Sequence, residues 1–230
     1  MPSFMLTLVL IAGSPSLDTE AGFDSLPTAA AAIGPTLQNG SLIFSAGDCL
    51  AVRIFTASPY THVATVVVDG QGERFVYDST GGVGVRKLPL ATYLATQAPV
   101  RIEVHHPVQP LSDKQSRQLE RYLESQLGRP YAIQHHLTGE RCAGLHCAEY
   151  VTDALMSIDV VRAKQPARVS PVSLRTGIVR HHVYTAGTSI RLQRPAPTVR
   201  GGSACEQMWL DTKACCRNCC RKLSGWFLCQ

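Results

Sequence analysis

Gly144-Leu145-His146-Cys147-Ala148-Glu149-Tyr150-Val151 carries a cysteine at the point where loop residues give way to a helix. Ala148, Val151, Ala154, Leu155 and Ile158 recur on one face downstream, so the helix is predicted to begin near Cys147. A thiol in that first turn feels the partial positive charge of the helix N-terminus, which lowers its pKa and raises its thiolate fraction. Nucleophilic cysteines need this environment. Taken alone, the position suits a small buried residue equally well, so the chemistry depends on what else the chain brings there.

Two residues stand out as partners. His62 opens His62-Val-Ala-Thr-Val-Val-Val-Asp69, a β-branched and almost wholly apolar run that reads as a central strand buried on both faces. Six of the eight histidines form adjacent pairs (His105-His106, His135-His136, His181-His182), leaving His62 and His146 single. An imidazole at the start of a rigid strand has the fixed placement a general base requires. Asp69-Gly70-Gln71-Gly72 then reads as a hairpin turn, and Arg74 to Asp78 as the returning antiparallel strand, which brings Asp78 back towards His62. A carboxylate there fixes the imidazole tautomer and stabilises its charged form. Glu73 is a weaker substitute because it falls within the turn.

Outward from this hairpin, Leu50 to Phe55 alternates as a strand after the turn Ala46-Gly47-Asp48. Strands at Val83 to Leu88 and Val100 to His105, with a short helix around Leu90 to Thr96 between them, continue an antiparallel meander. Ser112 and Gln115 make a capping box ahead of Leu119, Tyr122, Leu123 and Leu127, a predicted amphipathic helix stopped by Gly128 and Pro130. Thr28 to Gly34 reads as a short helix or a linker. Beyond Ser170-Pro171 short strand-like pieces are expected up to about Leu192. The organisation read from these signals is an N-terminal segment 1–40, a main domain 41–193, a Pro/Gly-rich linker 194–204 and a Cys-rich basic tail 205–230.

Composition narrows the class. The chain has 230 residues, 45% hydrophobic and 17% charged, the balance of a folded domain. A net charge of +5, scattered and without interleaved aromatics, argues against nucleic-acid binding. Of the nine cysteines only Cys49, Cys142 and Cys147 lie in the body, so no disulfide scaffold is expected there. The apolar run Phe4 to Gly13 has signal-peptide length but no preceding Lys or Arg, and it is too short to span a bilayer. A cleaved signal would place the protein in the cell envelope or outside the cell; a buried strand there would leave it cytoplasmic.

Four local patterns resemble the circularly permuted papain-like enzymes of the YaeF/YiiX (C92-like) type, relatives of the NlpC/P60 peptidases and of lecithin retinol acyltransferase. They are Gly47-Asp48 before an alternating strand, Tyr60-Thr-His-Val63, Val76-Tyr-Asp78, and Leu127-Gly-Arg-Pro-Tyr131 leading to His146-Cys-Ala-Glu-Tyr-Val151. The histidine precedes the cysteine, as the permutation demands. The resemblance spans roughly Leu42 to Leu174 and departs from the family at Ala148, where Ser is common, and at Asp78, where Glu or His is commoner. It implies an α+β fold of permuted papain-like (NlpC/P60-type) architecture, an antiparallel sheet or half-barrel packed against a nucleophile-bearing helix and a second helix.

It also implies a cysteine amidase, peptidase or acyltransferase acting on a cell-wall peptide amide or a lipid acyl group. In that reading Cys147 attacks a carbonyl, His62 relays the proton and Asp78 orients His62. The Cys147 N–H is the first oxyanion donor, and Tyr60 is a candidate for oxyanion or substrate contact. No cofactor is expected, and the chain is expected to be a monomer whose partner is a peptide or lipid acyl substrate. In the tail, Cys215-Cys-Arg-Asn-Cys-Cys220 has one C-x-x-C spacing that Cys205 and Cys229 could complete for a metal. Its basic and aromatic residues also suit peripheral contact with a membrane surface. The rival readings are a binding module that kept the fold without turnover, and a membrane-tethered adaptor acting through the tail.

Overall fold

In the computed structural model, residues 21–23, 26–46, 58–97, 100–192, 202–210 and 212–213 are described. In chain order the elements are β1 (Ala21–Phe23), α1 (Leu26–Ile33), β2 (Leu42–Ala46), β3 (His62–Val68), β4 (Arg74–Thr80), β5 (Gly84–Pro89), α2 (Leu90–Gln97), β6 (Val100–Pro107), α3 (Asp113–Ser125), α4 (Gln134–Thr138), α5 (Cys147–Ser157), α6 (Pro171–Arg180) and β7 (Tyr184–Leu192). The seven strands form one sheet in the order β1-β7-β6-β2-β3-β4-β5. Every pairing is antiparallel except β1 with β7.

The sheet is covered on both faces, which is why β3 is apolar along almost its whole length. Leu42, Phe44, Val63, Val67 and Tyr77 pack against Leu119 and Leu123 of α3, Tyr150, Val151 and Leu155 of α5, and Leu174 and Ile178 of α6. The alternate residues Ile43, Ala64, Val66 and Val76 pack against Ala29 and Ile33 of α1 and Leu90, Tyr93 and Leu94 of α2. The period of two along β2 and β3 thus sorts side chains into two cores. α3 shows which effect holds a helix in place: its Ser112–Gln115 capping box is present and is worth about 1 kcal/mol. Burying Leu119 and Leu123 completely contributes about 1.5–3 kcal/mol each, so packing outweighs the cap.

The expected hairpin forms, with Asp69 Oδ1 accepting the N–H groups of Gln71 and Glu73. β3, β4 and β5 make the meander, but β6 does not continue it. β6 crosses back to pair with β2, a strand the sequence reading missed, on the far side of β3. Of the strand-like pieces expected from Ser170-Pro171 to about Leu192, the last is present as β7, whereas the first part is the helix α6. The signal overlooked there was Ser170 as N-cap with Pro171 at the first helical position and a Ser173 capping box. Residues 21–23 and 26–40 belong to the same fold, since β1 extends the β7 edge and α1 packs beneath the sheet. The expected strand at Leu50 to Phe55, the apolar N-terminal run and the cysteines from Cys215 onward lie outside the described residues.

Candidate active site

Cys147 is the first residue of α5, and the loop before it is held from several sides. Leu145 N–H donates to the Pro130 carbonyl at 2.9 Å, and Ser79 Oγ of β4 donates to the Leu145 carbonyl at 2.6 Å. Gly144 is required because a Cβ there would lie 2.6 Å from Ala132 Cβ and 2.7 Å from the Pro130 oxygen. His146 is the N-cap: its Nδ1 accepts the Glu149 N–H at 3.3 Å and its Nε2 lies 2.9 Å from the Ala167 carbonyl. Those two bonds hold His146 at the helix start. Burial alone would lower the His146 imidazolium, but its hydrogen bond to the Cys147 thiol helps raise it above its ordinary value, so His146 also touches the sulfur.

His62 is the histidine joined to an acid: its Nε2 lies 3.0 Å from Asp78 Oδ2, and its ring also interacts with the Cys147 thiol. Asp78 is completely buried. Its Oδ1 accepts Arg86 Nε at 2.7 Å and its Oδ2 also accepts Arg86 Nη2 at 3.1 Å. The register explains the assembly: Ser45 of β2 pairs with His62 of β3 and Asp78 of β4 pairs with Arg86 of β5, and the β3–β4 register sets Asp78 two residues along from His62 on the same face, so the pair meets diagonally. Tyr93 of α2 lies beside the imidazole with ring centroids 6.5 Å apart and planes at 27°. Cys147 belongs to one core layer and Tyr93 to the other, so His62 connects the two at the end of its strand.

The electrostatics follow from this arrangement. Burial alone would raise the Cys147 thiol, but the His62 charge, with hydrogen bonds from His146 and His62, brings it down to about 6. Burial alone would lower the His62 imidazolium, but the Cys147 thiolate and Asp78 raise it to about 10. Asp78 is pushed up by burial and held below its ordinary value by its bonds to His62 and Arg86. Between about pH 6 and 10 the favoured state is therefore a thiolate–imidazolium pair.

The structure thus brings Cys147, His62 and Asp78 together. It does not bring Tyr60 to them through its hydroxyl, which donates to Glu103 of β6; the Tyr60 ring lies under the Arg175 guanidinium at 4.8 Å. Glu73 sits exposed in the hairpin turn, away from any ring nitrogen of His62. Sequence reasoning missed Arg86, His146 and Tyr93. The first was within reach, since a tight turn at Gly81-Gly82-Val83 places Arg86 opposite Asp78. The other two needed the packing of α2 and of the 166–168 turn. Among the described residues no group of three or more His, Cys, Asp or Glu side chains is arranged to hold a metal ion.

Residues 36–176 match the family described as permuted papain-like amidase enzyme, YaeF/YiiX, C92 family. Among solved structures, the chain is similar to the crystal structure of metalloprotein yiiX from Escherichia coli O157:H7, DUF1105, at 18% identity and a TM-score of 0.53. The similarity covers 66% of this chain and 96% of that one, a likeness of fold. No curated protein matches the chain.

Proposed function

The chain belongs to the permuted papain-like amidase family of the YaeF/YiiX (C92) type, and from that premise we propose that it cleaves an amide or ester bond through a covalent acyl-Cys147 intermediate. The observation that carries the reading is the hydrogen-bonded line from Cys147 through His62 to the buried carboxylate of Asp78, with Nε2 of His62 turned to Asp78 at 3.0 Å. The Cys147 thiolate attacks the carbonyl carbon, forming the S–C bond and a tetrahedral oxyanion. The His62 imidazolium gives its proton to the leaving amine or alkoxide as the old bond breaks. Water, deprotonated by His62, then hydrolyses the thioester and returns the thiol. At the first position of α5 the helix supplies no acceptor for the Cys147 N–H, which suits it to the oxyanion. Cell-wall peptide amides and lipid acyl groups are the substrate classes to try, and transfer to an acceptor other than water uses the same intermediate.

The test is to incubate the full chain with peptide amides and acyl esters of both classes and to look by peptide mass spectrometry for an acyl adduct on Cys147. A hydroxylamine-labile adduct in the wild type, absent in Cys147→Ala and much slower to form in His62→Ala, is expected. A Cys147 that titrates as an ordinary thiol near ~8.5 and takes up no acyl group would refute the reading and favour a binding module on the same fold.

A further inference from the structure

Arg86 lies outside the three residues given chemical roles, yet it makes two of the three side-chain bonds on the Asp78 carboxylate. Nε reaches Oδ1 at 2.7 Å, Nη2 reaches Oδ2 at 3.1 Å, and His62 Nε2 takes the remaining approach to Oδ2 at 3.0 Å. The guanidinium is itself tethered, because Nη2 also donates to Thr96 Oγ1 at 3.3 Å, and that hydroxyl donates to the Tyr93 carbonyl at 2.7 Å. Tyr93 is the residue whose ring lies beside His62. The guanidinium therefore ties the carboxylate on β4 to the last turn of the helix that backs the imidazole.

We propose that Arg86 is a positioning residue of the thiol site: its two-pronged grip holds Asp78 in the one orientation that presents Oδ2 to His62. The inference rests on the acyl-transfer reading above and deepens it. The physical reason is that a planar guanidinium matches both oxygens of a carboxylate and so fixes its torsion, whereas a point charge would not. Asp78 is fully buried, so no water competes to orient it. With the carboxylate free to turn, the imidazole loses its fixed tautomer and the ring drifts from Cys147. The loss then appears at the thiol, three contacts away from the substitution.

The experiment uses the full chain with iodoacetamide as probe, reading Cys147 alkylation from pH 4 to 11 by peptide mass spectrometry, with the thermal midpoint measured alongside. In Arg86→Ala the midpoint of Cys147 reactivity is expected to move up by about one pH unit, and guanidinium ion at millimolar, non-denaturing concentration is expected to restore part of that shift. Arg86→Lys, which keeps the charge without the fork, is expected to lie between Ala and the wild type. An Arg86→Ala profile that superimposes on the wild type, or an Arg86→Lys profile identical to it, overturns the proposal. A wild-type Cys147 with no depressed midpoint overturns instead the acyl-transfer reading on which it rests.

Discussion

Replacing Asp78 by Asn removes one negative charge from a completely buried position while keeping the shape of the side chain. Two cations then lose their common partner: Arg86, held at 2.7 and 3.1 Å, and the His62 imidazolium, held at 3.0 Å. Removing one member of a buried ion pair costs about 3–5 kcal/mol, because the remaining charge is left without compensation. The side chains of Arg86 and His62 retain 19% and 13% of their exposure, so both can draw water. The expected loss therefore falls at or below the bottom of that range, about 2–3 kcal/mol. Asp78 also contributes to the rise of His62, whereas the fall of Cys147 comes from the two histidines. Asp78→Asn should therefore move the His62 titration down from about 10 by about 1–2 units. The reactivity midpoint of Cys147 near 6 should rise by at least the roughly one pH unit expected for Arg86→Ala, because the thiol depends on the imidazole that Asp78 orients. Urea denaturation measures the first quantity, and imidazole carbon chemical shifts followed by NMR against pH measure the second. A stability within about 0.5 kcal/mol of the wild type, together with an unmoved imidazole, would refute the coupling.

Two further outcomes follow from neighbouring parts of the fold. Glu103 accepts His105 Nε2 at 2.7 Å and Arg175 Nη2 at 2.6 Å, and it also takes the Tyr60 hydroxyl. Burial pushes it up, but these donors hold it down at about 2. A carboxylate whose folded value is depressed contributes stability that is present above its unfolded value of ~4.3 and is lost as pH falls from about 4 towards about 2. Glu103→Gln should accordingly cost about 2 kcal/mol at pH 7 and flatten the acid-unfolding curve over that window, and an unchanged acid limb would show that the cluster is idle. Gly84 has φ +90°, and a Cβ there would lie 2.2 Å from the Arg129 carbonyl oxygen, which itself accepts the Val85 N–H at 2.9 Å. Gly84→Ala should cost about 2–4 kcal/mol by circular-dichroism melting, and a neutral result would mean that the 128–130 segment can move off β5 freely.

Where the sequence was readable, the reason was a local interaction. Ser112 and Gln115 announced α3 because the capping box is made by residues three apart. The run from His62 to Val68 announced a doubly covered strand because each face of it must be apolar. Ser170-Pro171 carries the same kind of local signal for α6, an N-cap followed by proline at the first helical position. β2 went unread because Leu42–Ala46 is five residues long, mostly buried and without alternation to distinguish it.

The site divides along the same line. By itself the sequence determined a cysteine at a helix start, a histidine at the head of a buried strand and an acid on the hairpin's return, because helix polarity, strand burial and a short turn are all set within about 20 residues. Only the tertiary structure decided how the two histidines divide their contacts at the thiol. His146 lies next to Cys147 in the chain and caps the helix through Glu149 and Ala167 while also touching the thiol, whereas His62 links the thiol to the buried Asp78. It also decided that Tyr60 turns its hydroxyl to Glu103 and that Arg86 grips Asp78. Those outcomes depend on strand register and on helices packing across the sheet. They arise from contacts between residues distant in sequence, and no local pattern encodes them.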